Sequence, residues 1–181
     1  MMLFSYKELE AIYKTDYQIK NAIEDGKLYK IEKGIYSDVP TVHPLEIIVK
    51  KYPEAIFTMD SAFYFHGLTD VIPKKNYLAV KRNSIRIHKK GIVQVYVIEK
   101  LHDIGKTKID FENVQLFVYD MERMLIELIR NKKKMAFDYY KEIISSYRRR
   151  SNELETVKIE DYINKFDIEE YIFNTIQSEV F

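Results

Sequence analysis

The sequence contains no cysteine, which excludes a disulfide framework, a thiol nucleophile, cysteine-ligated zinc and iron–sulfur clusters. Glycine and proline are sparse, 5 and 4 among 181 residues, so low-complexity and linker-rich architectures are excluded too. There is no P-loop, no Gly-x-Gly-x-x-Gly turn and no Gly-x-Ser-x-Gly elbow, and with so few glycines a phosphate cradle of the usual type is not expected. Long apolar runs are missing as well: stretches such as 92–98 are strand-sized, against the roughly 20 residues that span a bilayer. The opening MMLFSYKELE lacks the basic segment and apolar core of a secretory signal. A soluble, cytoplasmic protein is the expectation.

What is present is apolar surface and segregated charge. The hydrophobic fraction of 46%, with 15 Tyr and 10 Phe, suffices for a packed core. The net charge of +1 conceals a basic middle and an acidic tail. Residues 74–108 hold ten Lys/Arg against two acids, and residues 130–150 hold eight against two. Residues 151–181 reverse the sign, with two Lys against eight acids. A one-signed patch attracts polyanions or acidic proteins over about a Debye length, and an acidic tail folded back over the basic surface would mask it.

The first forty residues read as a unit. Ser5-Tyr6-Lys7-Glu8 is a capping box opening a helix to Tyr13, with Leu9, Ile12 and Tyr13 on one face. Thr15-Asp16-Tyr17-Gln18 repeats the pattern and opens a helix to Asp25, whose buried stripe is Ile19, Ala22 and Ile23. Gly26 suits a left-handed cap. The period then changes to two, and Lys33-Gly34 reads as the turn of a small hairpin ending at Ile35 and Tyr36. Helix, turn, helix and hairpin together outline a winged helix-turn-helix over 1–40.

The Pro40 to Pro44 stretch is the expected boundary. From 41 to 181 the pattern predicts a mixed sheet-and-helix domain ending in a helical segment, so the whole chain is expected to be α+β. Helices are predicted over 45–51 and from a Thr58 cap to His66, where Gly67 stops the helix. Strands are predicted at 55–57, 77–80, 84–88, 91–98 and 113–119. Met124, Leu125, Leu128 and Ile129 repeat at helical spacing from Met121, and further helices are predicted over 135–146, 157–164 and 168–178. No internal repeat emerges.

Catalytic and metal chemistry find little support. His43, His66, His88 and His102 form no ligand-spaced pair, so neither a metal nor a cofactor is expected. A protonated His66 would suit the end of its helix. Ser61 and His66, five residues apart on one helix, diverge by about 140° and cannot pair as nucleophile and base. Asp60, Asp70, Asp120 and Glu122 are scattered over different elements. An enzyme is not expected.

The second helix carries a clearer signal. With its stripe buried, it turns Tyr17, Gln18, Lys20, Asn21 and Glu24 outward. Gln and Asn can bond adenine bidentately, and Lys suits guanine or phosphate. Lys27, Lys30 and Lys33 would lie along a duplex backbone, with Tyr29 able to donate to a phosphate. Double-stranded DNA is the partner these residues fit. A separate basic surface, Lys81, Arg82, Arg86, Lys89 and Lys90, sits around predicted strand tips and suits a second nucleic-acid contact or a partner with an acidic face. Arg148-Arg149-Arg150 ends a helix, where cations complement the dipole.

Three segments resemble a known family. Residues 27–36, Lys-Leu-Tyr-Lys-Ile-Glu-Lys-Gly-Ile-Tyr after Gly26, resemble the wing of AbiEi-type antitoxins. Residues 61–70, beginning Ser61-Ala62 and containing His66-Gly67-Leu68, resemble the family's Ser-Ala-x-x-x-His-Gly-Leu segment, with Pro73 and a strand at 77–80 following. Residues 118–130, with Glu122-Arg123, resemble its Glu-Arg-x-Leu-x-Asp-Leu helix, Glu127 standing where Asp is usual. The resemblance spans about residues 4–146. It implies the antitoxin of a type IV toxin–antitoxin pair, known from abortive infection in phage defence. Its N-terminal domain represses its own operon by binding operator DNA, and its C-terminal domain counteracts a nucleotidyltransferase-like toxin, often without a stable complex. The surface of Lys81, Arg82, Arg86, Lys89 and Lys90 is the candidate for the antitoxic function. The alternatives are a stand-alone DNA-binding regulator and an interaction module that uses the basic middle.

Overall fold

In the computed structural model, which describes residues 1–166 and 170–181, the chain is α+β with two sheets. It divides into one unit of residues 1–54 with 112–114 and a second of 55–111 with 115–181.

In the first unit, β1 (Leu3–Ser5) leads into α1 (Tyr6–Tyr13) through the capping box: Glu8 N donates to Ser5 Oγ at 3.3 Å and Ser5 N donates to Glu8 Oε2 at 2.6 Å. Thr15 Oγ1 accepts from Gln18 N at 3.3 Å and starts α2 (Asp16–Glu24). Gly26, at φ +68°, reverses the chain into β2 (Tyr29–Glu32) and β3 (Ile35–Ser37). The strands form an antiparallel sheet ordered β1-β3-β2; β1, three residues long, is too short to show a period in the sequence. Leu9, Ile19, Ala22, Leu28 and Tyr36 form the core. Ile12 departs from expectation at 56% exposed, because Tyr6, Leu9 and Tyr13, three and four positions apart, form the stripe of α1 that meets the core.

The unit runs to Glu54, beyond the expected boundary near residue 40. The reason is α3 (Pro44–Lys51), which is started by His43 and packs on β1. Lys50 holds Glu8 at 2.7 Å and Lys51 holds Glu32 at 2.6 Å. The Lys50 ammonium and the two Ser5 donors keep the Glu8 carboxyl down at about 2.

In the second unit, β4 (Ile56–Phe57), β5 (Asn76–Lys81), β6 (Ile92–Val97), β7 (Lys106–Phe111) and β8 (Val114–Tyr119) form a mixed sheet ordered β6-β5-β4-β8-β7. β4 runs antiparallel to β5 and parallel to β8, and β5 runs parallel to β6. That last pairing overturns the strand predicted over 84–88. The chain must return the full length of β5 before β6 can start alongside it, and residues 82–91 make that return without regular structure. Gln94 serves their backbone in place of a strand: its Oε1 accepts from Ile87 N at 2.6 Å and its Nε2 donates to Ile85 O at 3.0 Å. The sequence pattern also misses β7, whose Lys-Thr-Lys-Ile-Asp-Phe run is the charged edge of the sheet, and the short α5 (Glu99–His102).

Helices pack on this sheet. α4 (Met59–Phe65) buries Ser61, Ala62 and Phe63, and ends at Gly67, at φ +65°. Thr58 is its N-cap residue but gives no side-chain cap; its hydroxyl faces Met124 Sδ at 3.7 Å. α6 (Met121–Arg130) buries the predicted Met124, Leu125, Leu128 and Ile129, and Asp120 caps it by accepting from Arg123 N at 2.8 Å. α7 (Phe137–Arg149) and α8 (Thr156–Phe166) follow, then α9 (Glu170–Glu179). The predicted start of the last helix, Ile168, lies outside the described residues. α8 and α9 both pack on α6, burying Ile159, Tyr162, Ile172, Ile176 and Val180. Among the described residues no helix is long and apolar enough to cross a membrane.

Candidate nucleic-acid interface

The outward face of α2 is set by what it hides. Ile19 and Ala22 point into the core, which leaves Tyr17, Gln18 and Lys20 exposed and Asn21 half-buried at its edge. Tyr17 is 72% exposed, a large aromatic ring left in water beside polar neighbours. Gln18 and Asn21 lie at i and i+3, so their amides share one face. The hairpin that follows α2 turns at Gly34, at φ +81°, and presents Lys30 and Lys33 to solvent, with Tyr29 half-buried on β2. Lys27 stands apart from the other cations: Asp25 bonds its ammonium at 2.9 Å and raises its pKa.

Residues 1–54 carry eight Lys/Arg and nine Asp/Glu, so this unit offers no net positive field. Any polyanion must be held by locally placed lysines and by side-chain amides.

The basic surface of the second unit is arranged along the return segment. Lys81 closes β5 and Arg82 follows it, Arg86 is exposed midway, and Lys89 and Lys90 come just before β6. Because β5 and β6 are parallel, the pairs 81/82 and 89/90 stand at opposite ends of six-residue strands, about 17–20 Å apart along the strand direction. Lys81 also faces Glu99 at 3.8 Å. The five cations therefore form a line, where strand tips would have grouped them.

The acidic tail meets a different basic run. Glu153 pairs with Arg150 at 2.8 Å, and Glu179 takes Lys132, the Tyr140 hydroxyl and, through its backbone oxygen, Arg148. The cations of 130–150 are thus partly neutralised within the fold.

Ser61, His66 and the Glu-Arg helix prove to be pins of the second unit. Ser61 Oγ accepts from Tyr77 N at 2.9 Å and contacts Lys75 O at 3.4 Å. His66 Nε2 donates to Tyr119 O at 2.7 Å. Burial lowers the His66 pKa, so the ring is neutral rather than the helix-end cation expected from its position. Arg123 is 1% exposed, stacked between the Tyr119 and Phe166 rings and paired with Glu127 at 2.9 Å. Glu122 accepts from Glu155 N at 3.1 Å.

The second unit also holds a cleft that no spacing in the sequence announces. A hollow of about 410 Å³ lies between α4, β5, β6, α6 and α7, lined by Met59, Asp60, Tyr77, Asn131, Lys134 and Tyr139 among others. A second of about 390 Å³ adjoins it and shares Asp60, Tyr77, Ala136 and Tyr139. Asp60 appeared in the sequence as one of several scattered acids; the aromatic partners that give it a setting are 17 and 79 residues away.

No protein-family model and no curated protein matches the chain.

Proposed function

We propose that the chain is a DNA-binding repressor of the AbiEi antitoxin type, its first unit acting as a winged helix-turn-helix with α2 as reader and the β2–β3 hairpin as wing. The observation that carries DNA reading is the face of α2: Gln18, Lys20 and Asn21 are turned away from a core filled by Ile19 and Ala22, and Lys30 and Lys33 project from the adjacent hairpin. The antitoxic half of the proposal rests on the resemblance of residues 61–70 and 118–130. It assigns neutralisation of a nucleotidyltransferase-like toxin to the second unit in the cytoplasm, with the line of Lys81, Arg82, Arg86, Lys89 and Lys90 as its working surface and without need of a stable complex.

DNA reading is tested with the promoter of the protein's own operon. Lys20→Ala with Asn21→Ala is expected to weaken binding by about 1–3 kcal/mol per lost base contact. Because few cations are available, the slope of log affinity against log salt should be shallow, near −2 to −3 for one unit at about −0.9 per phosphate. Lys30→Ala should reduce it by about one. An affinity unchanged in the double variant would remove α2 as the reader. The antitoxic half is tested by inducing the neighbouring open reading frame with and without the full-length protein. Growth arrest relieved by the protein, and relieved no longer when Lys81, Arg82, Lys89 and Lys90 are reversed to Glu, is the expected result. A harmless neighbour leaves a stand-alone regulator.

A further inference from the structure

The cleft between α4, β5 and α7 is better furnished than packing requires. Asp60 is half-buried, and the Tyr77 hydroxyl interacts electrostatically with its carboxyl group. An ionised carboxylate offers about four acceptor sites, and Asp60 lines both hollows. The Tyr139 hydroxyl oxygen is buried and has no hydrogen-bond partner among the described residues; leaving such a group unpaired is costly. Asp60 acts electrostatically on both tyrosine hydroxyls, and burial raises all three pKa values. Around these polar atoms Tyr119 and the rings of the two tyrosines, with Met59, Val95, Val97 and Met135, supply apolar and aromatic wall, while Arg123, Glu127 and Asn131 add polar groups. Met59 itself sits at φ +47°, a conformation rarely adopted by a side chain of this kind and often found beside binding sites. Lys134, on the first hollow, and Lys74 and Lys75, on the second, are exposed and form no ion pair among the described residues.

Three features together specify an occupant. The interior wants a flat ring that donates N–H bonds, the mouth wants an anion, and each hollow has the volume of a small-molecule site. A simple cation would meet three repelling lysines, and inorganic phosphate would leave the aromatic interior empty. We propose that this cleft binds a nucleoside monophosphate whose base carries an exocyclic amine, the amine bonding Asp60 and Tyr139 and the phosphate bonding either Lys134 at the first hollow or Lys74 and Lys75 at the second. All these residues lie in the second unit, so the proposal is independent of DNA reading in the first.

The test is titration calorimetry on the full-length protein with GMP, AMP, CMP, UMP, the matching nucleosides, inorganic phosphate and a 5′-phosphorylated trinucleotide. At least one amine-bearing monophosphate should bind saturably and more tightly than UMP, which lacks the amine, and more tightly than inorganic phosphate. Tyr139→Phe should weaken that binding about 3- to 10-fold, the effect of one hydrogen bond. It should leave thermal stability unchanged or raised, because the hydroxyl it removes has no partner in the fold. Lys134→Ala with Lys74→Ala should weaken the monophosphate while sparing its nucleoside. UMP binding as tightly as the others, a Tyr139→Phe variant of unchanged affinity, no saturable binding below millimolar concentration, or binding by the trinucleotide alone would each overturn the proposal.

Discussion

His66 shows how a single side chain can look one way in sequence and behave another way in the fold. At a helix end before a glycine it suggested a cation facing the dipole. In the structure it is desolvated, and its Nε2–H is committed to Tyr119 O. Desolvation, the largest influence, lowers its pKa below the ordinary 6.5; the Tyr119 bond and Asp120 oppose it only partly. The unfolded chain therefore binds a proton more readily than the folded one. Stability should be unaffected by this group well above pH 6.5 and should fall as the pH drops through 6.5 toward the lower folded value. His66→Gln, which can keep the donor to Tyr119, should flatten that part of a urea-unfolding profile measured between pH 7.5 and 5. An unchanged profile would mean that another group sets it. Arg123 belongs to the same scale: two aromatic rings and Glu127 hold this cation buried in the second unit.

At the scale of elements, local chemistry determined where helices start and the sheet determined what the intervening chain does. Both N-terminal helices begin where Ser5 and Thr15 could be seen to cap them. The return segment 82–91 has strand-like composition, but the parallel pairing of β5 with β6 leaves it no partner strand. Gly105 shows the converse, a residue whose necessity is invisible locally. It sits at φ +75°, and a Cβ there would come within 2.7 Å of Arg123 Cβ and 3.1 Å of Asp120 Oδ1. Its carbonyl also accepts from Asp120 N at 2.7 Å. Gly105→Ala combines left-handed strain with overpacking and should cost about 2–4 kcal/mol. Gly91→Ala, with open space around an added Cβ, should cost only the conformational part, about 1–2 kcal/mol. Equal denaturation midpoints for the two variants would show that the close approach does not matter.

At the scale of the whole molecule, the acidic tail is a layer of the second unit. Leu154, Ile159, Tyr162, Ile172, Ile176 and Val180 are all buried. At about 1.5–3 kcal/mol for each fully buried side chain, their loss would match the roughly 5–15 kcal/mol that stabilises a typical domain. A chain ending at Arg150 should therefore lose cooperative unfolding of its second unit, seen as a missing thermal transition. A truncated protein with a native-like transition would mean that the tail is a detachable cover for the basic surface, as its charge alone had suggested.

The sequence by itself determined the α+β class, the caps of the first helices, the hairpin at Gly34, the buried stripe of α6 and the outward set on α2. Each of these depends on residues three or four positions apart or on a single φ-permissive position, and such relations survive in a linear string. Only the tertiary structure decided that the first unit extends through α3, since Lys50 and Lys51 reach back 42 and 19 residues to Glu8 and Glu32. It alone aligned the 81–90 cations along a parallel return, buried the tail, and brought Asp60, Tyr77 and Tyr139 to one cleft. Those outcomes depend on strand order and on contacts across tens of residues, for which local spacing carries no record.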